Sequence, residues 1–139
     1  MPRFMLFMLP GIAPEEYAEG PTLEAVEAMN RFNQDMTDAG VLLAADGLHP
    51  AERGRRVRVE AGEKVVSDGP FTDAEEVVGG YWIIRASDLD EATEWAKRAP
   101  IGSGPQIEVR ELWEVTDMPE EIQEAAQLSE TPPAQTSAD

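Results

Sequence analysis

The chain has no cysteine, a single histidine, and only 11 basic residues against 28 acidic ones in 139. Without thiols there are no disulfides, no thiolate zinc site and no cysteine nucleophile. A metal site would have to be assembled from carboxylates around His49, and no spacing of Asp and Glu supports one, so neither a metal nor a cofactor is expected. The formal charge of -17 opposes contact with phosphate backbones, which depends on neutralisation by Lys and Arg, and direct nucleic-acid binding is not expected. Long hydrophobic runs are missing too. Met1 to Pro10 is apolar but too short to span a bilayer, and it has neither a charged leader nor a small-residue cleavage site. The expectation is a soluble cytoplasmic protein without membrane contact. No serine lies in a G-x-S-x-G context, and Gly102-Ser103-Gly104 is followed by neither Lys-Ser/Thr nor a helix, which removes serine-nucleophile and phosphate-loop readings.

What is present has the size of one domain. Arg3 to Leu9 reads as a strand with apolar residues on both faces. Pro10, Gly11 and Pro14 break the chain into a loop. Thr22 then caps a helix running to Ala39, with an apolar stripe of Leu23, Val26, Met29 or Asn30, Phe32 or Asn33, and Met36. Gly40 stops it. Val41 to Ala45 is a short strand. Arg56 to Glu60 and Glu63 to Ser67 form a hairpin around Ala61-Gly62, where Gly62 takes a positive φ. Its valines, Val57, Val59 and Val65, are expected to be buried, while Arg56, Arg58 and Lys64 face water. That one-sidedness places the hairpin at a sheet edge.

Tyr81 to Ile84 is again apolar on both faces. Ser87 or Asp88 caps a second helix, Leu89 to Arg98, which buries Leu89, Ala92, Trp95 and Ala96. Gln106 to Val115 is the last strand, with Ile107, Val109, Trp113 and Val115 on one face. Three regions follow from this pattern: a domain over 1–116, a helical extension over 117–128, and an acidic Pro/Ser/Thr/Ala-rich tail over 129–139 expected to be disordered.

Between the hairpin and the Tyr81 strand lies Asp68-Gly69-Pro70-Phe71. Pro70 fixes its own φ, offers no N–H, and pushes Gly69 towards an extended conformation. Asp68 therefore cannot accept from residue 70, and Phe71 or a residue beyond it is the first N–H open to its carboxylate. Thr72 and Glu75 have capping-box spacing, and Gly79-Gly80 opens the next strand. This tetrapeptide, followed by Gly79-Gly80-Tyr81 and an acidic helix, resembles the signature of the YCII-related (DGPF-domain) family from about Met1 to Val115. The resemblance implies a dimeric α+β barrel. It also implies a cleft between sheet and helices in which related proteins have been proposed to use a His/Asp pair for acid/base chemistry. It further implies an association with extracytoplasmic-function sigma factors.

The element order, β-α-β, an inserted hairpin, then β-α-β, predicts a ferredoxin-like α+β fold by itself. Two helices cover one face of a four-stranded antiparallel sheet. The other face is left apolar, which soluble monomers avoid, so a homodimer packed sheet against sheet is expected.

Asp68 is the first candidate for chemistry, as a base or as a backbone cap of the corner. Backbone hydrogen bonds would lower its pKa and make it a poor base. His49, the only imidazole, is its candidate catalytic partner or an ordinary loop histidine. Where the family resemblance places a histidine, near the first helix, this chain has Glu24, Glu27 and Asn30. Phe71, Tyr81, Trp82 and Arg56 are candidates to line a ligand pocket. Arg56 belongs to a basic cluster with Arg53, Arg55 and Arg58, which suits an anionic ligand or, alternatively, the solvated face of an edge strand. Two functions fit. One is a small-ligand-binding or regulatory module linked to sigma-factor-dependent transcription, with the acidic tail from Asp117 docking on a basic protein partner. The alternative is an enzyme performing isomerisation or elimination through Asp68 and His49.

Overall fold

β1 (Arg3–Leu9) is the central girder of the protein. In a computed structural model of the chain, which describes residues 1–12, 16–17, 19–69 and 77–125, β1 pairs antiparallel with β5 (Gly80–Arg85) on one side and β6 (Gln106–Glu111) on the other. β2 (Leu42–Gly47) closes the other edge against β5. The resulting four-stranded order is β2-β5-β1-β6. The helices α1 (Leu23–Asp38) and α2 (Leu89–Lys97) provide the crossovers. This is the ferredoxin-like α+β fold that the element order predicts.

Strand alternation sorts the side chains. Phe4, Leu6, Trp82 and Ile84 point to the helix-covered face and join Phe32 and Met36 of α1 and Ala92 and Ala96 of α2 in one core. The small alanines let α2 approach closely. Thr22 caps α1 by accepting from Ala25 N–H. Asp88 caps α2 by accepting from Glu91 N–H, while the Glu91 carboxylate accepts in return from Ser87 N–H. Arg98, at the end of α2, lies over the Trp95 ring and reaches Asp35 of α1.

The register puts Met5, Phe7, Ile83 and Ala44 together on the opposite sheet face. All four are half-buried by their neighbours alone.

Several expectations are corrected. β3 (Arg55–Glu60) and β4 (Glu63–Asp68) form a separate two-stranded sheet, not an edge of the main one. Their valines are not buried: Val57, Val59 and Val66 are 65%, 66% and 58% exposed. The Glu60–Glu63 closing pair sets Val57 opposite Val66, so Val66 shares its face, and Val65 lies opposite Arg58. The last strand stops at Glu111, and the chain then forms a 3-10 turn over Val115–Asp117. Trp113 is accordingly 73% exposed. Arg3 and Glu114 hold this turn to β1 through a two-pronged ion pair at 2.6 and 3.1 Å. Leu23 and Leu89, the first residues of their helices, stay exposed. α3 (Glu120–Ala125) starts the C-terminal extension. The Pro70–Phe71 half of the corner, the Thr72–Glu75 capping box and the tail over 129–139 lie outside the described residues.

Candidate functional site

A cleft of about 310 Å³ opens where β1 and β2 end and β5 begins, under α1. Met8, Ala45 and Trp82 supply its floor, Met29 and Asn33 its helical wall, and Gly47, Gly79 and Gly80 its rim. The two glycines on the β5 side are needed because other groups come too close. A Cβ on Gly80 would lie 3.0 Å from the Asp46 carbonyl oxygen, and one on Gly79 would lie 2.9 Å from the Pro10 ring. The Gly79 N–H donates to the Met8 carbonyl and its own carbonyl accepts from Leu48 N–H, at 2.7 and 2.9 Å. Tyr17 straps the rim from above. Its hydroxyl proton is shared between the Leu48 and Gly79 carbonyls at 2.6 and 3.0 Å, and burial raises its pKa.

Trp82 is the fixed point of the cleft. It is 5% exposed. The Phe32 ring meets it edge-on, with centroids 5.6 Å apart and planes at 84°. Its indole N–H donates to Asn33 Oδ1 at 2.8 Å. Residues 32 and 33 of α1 thus clamp one indole from two directions, which a buried Trp with a single donor requires.

Tyr81 borders the same cleft, but its side chain leaves β5 on the opposite sheet face. There its hydroxyl donates to Asp46 Oδ2 at 2.8 Å. That hydrogen bond, and then the Asp46 charge, raise the Tyr81 pKa.

Asp68 ends β4, and its carboxylate accepts from Arg55 Nε at 2.9 Å, with both side chains largely in water. His49 stands exposed two residues beyond Gly47, past the cleft rim. No hydrogen bond or ion pair joins it to Asp68. Arg56 lies on the hairpin face opposite Val57. Phe71 is outside the described residues. Of the candidates, then, Tyr81 and Trp82 meet at the cleft, while Asp68, His49 and Arg56 belong to the connection from β2 to β5. Asn33 and Met29 were the less legible participants. Their signal was an amide on a helical apolar stripe, the spot where a buried indole finds its acceptor. Among the described residues no cluster of three or more His, Asp or Glu could hold a metal ion, and no helix is long and apolar enough to cross a membrane.

A ferredoxin-like sheet with a cleft under its first helix defines the class. The chain belongs to the YCII-related domain family, whose model matches residues 5–116. It is similar to an uncharacterized protein of Rhizobium meliloti (strain 1021), at 37% identity over 69 residues. That match covers 50% of this chain and 56% of the relative, so the chain matches about half the length of that curated protein.

Proposed function

We propose that the protein is a small-ligand-binding homodimer. The cleft under α1 carries this reading. Its volume of about 310 Å³ is at the compact end for metabolite sites, and its lining sets the Asn33 amide and Asp46 beside the apolar surfaces of Met8, Met29 and Trp82. The dimer is supported by the sheet face of Met5, Phe7, Ile83 and Ala44, which a second copy would cover. Binding is favoured over acid/base catalysis because Asp68 is engaged by Arg55, no histidine or lysine lines the cleft among the described residues, and its Asp46 and Tyr81 are hydrogen-bonded to each other. A regulatory role, including one tied to a sigma factor, would use the acidic C-terminal segment, where Ile122 is exposed among Glu120, Glu121 and Glu124.

Native mass spectrometry of protein isolated gently from its host is the test. The expected species is a dimer carrying a small added mass, and Met29→Trp, which fills the cleft, should retain the dimer and lose that mass. A monomer overturns the dimer. A bare dimer that also fails to take up small molecules overturns the binding reading, and a co-purifying basic protein released by deleting residues 117–139 would favour regulation.

A further inference from the structure

We infer that the cleft takes a compact neutral molecule recognised through a hydrogen-bond acceptor, such as a ketone or lactam carbonyl, and that Asn33 reads that acceptor. This rests on the ligand-binding reading above and specifies its chemistry.

An indole N–H can only donate. The atom of Asn33 that faces Trp82 at 2.8 Å is therefore the oxygen, and the amide orientation follows from the chemistry of its partner. The Phe32 contact holds the indole in place, so the orientation is kept. The Asn33 NH2 group is then turned away from Trp82. No described acceptor takes its hydrogens, while Asn33 itself lines the cleft. The polar group offered to a ligand is thus a pair of donors beside apolar surface.

Charge narrows the class further. Among the described residues no Lys, Arg or His lines the cleft, and the chain carries -17 overall, so an anion would lose hydration with no opposite charge to compensate it. An ammonium ion would set its own donors against those of Asn33. Asp46, the one carboxylate among the described lining residues, is taken up by the Tyr81 hydroxyl. A neutral acceptor is the remaining match. Met8 and Met29, unbranched and polarizable, suit an aliphatic or aromatic body of varied outline.

The test uses the three tryptophans as reporters: Trp82, Trp95 and Trp113 give three indole N–H resonances in a ¹⁵N-labelled protein. The probes share one ring: cyclohexanone, cyclohexanecarboxylate and cyclohexylammonium. Cyclohexanone should shift the Trp82 resonance saturably at millimolar concentration, and the two ions should not. Asn33→Asp keeps an oxygen for the indole but replaces the donors with an acceptor. It should weaken cyclohexanone by about tenfold or more and admit cyclohexylammonium. Equal binding of the carboxylate and the ketone to the unmodified protein would overturn the ligand class whatever the variant does. So would unchanged selectivity in Asn33→Asp, with the binding reading left standing in both cases. If no probe moves Trp82, the cleft reading fails and this inference fails with it.

Discussion

The main sheet and the hairpin read alike in sequence and end in opposite circumstances. Arg55 to Glu60 alternates charged residues with Val57 and Val59, much as Gln106 to Glu111 alternates them with Ile107 and Val109. In β6 the apolar residues are half-buried beneath the layer that holds α2, while in β3 the same pattern stays open to water. Alternation therefore defines a face but does not provide its cover. A two-stranded ribbon has nothing to bury its valines against until something outside it arrives.

The largest effect that would break this contrast is in the core. Trp82→Ala removes a clamped indole and should cost about 3–5 kcal/mol, measured by urea unfolding. Val57→Ala, on the hairpin, should stay within about 0.5 kcal/mol. Comparable losses would mean that the hairpin valines are covered in solution. A subtler change sharpens the comparison at the hairpin tip. Ala61 sits at φ 49° and Gly62 at φ 81°, the paired left-handed conformation of a type I′ turn, which alanine tolerates poorly. Ala61→Gly should therefore stabilise the ribbon by about 1 kcal/mol locally, seen as slower amide exchange in β3 and β4 with β1 unchanged.

The smallest effect concerns the open sheet face. The Tyr81 pKa is raised by its hydrogen bond to Asp46 and by the Asp46 charge. A raised folded-state pKa means that this contribution to stability is complete below the unfolded tyrosine value of about 10 and is lost as pH rises through the folded value. With only two tyrosines in the chain, tyrosinate absorbance resolves them, and Asp46→Asn should lower the pH at which one of them ionises. A titration unmoved by that change would show that the pair does not persist.

Much of the fold was legible because it depends on periodicity. β1 has the bounds expected from its sequence, and both helix starts lie at residues with capping chemistry, whereas the hairpin register sets Val66, not the expected Val65, beside Val57. The end of β6 was not legible: Trp113 and Val115 continue the apolar alternation, but the Glu114–Arg3 ion pair and the 3-10 turn take the chain off the sheet. The cleft was half legible. Trp82 stands out by its size, whereas Asn33 is only an alternative to Phe32 on the α1 stripe until the indole is placed beside it.

By itself the sequence determined the element order, the two apolar sheet faces, the acidic charge and the absence of thiol chemistry, because composition and side-chain spacing act locally. Tertiary structure decided which faces are covered, which residue answers the Trp82 N–H, and that Asp68 meets Arg55 rather than His49. The Asp68–Arg55 pair follows from the hairpin register, while the others depend on contacts between residues far apart in the chain. Asn33 and Trp82 are 49 positions apart, and only the packing of α1 on β5 brings a donor and an acceptor together there.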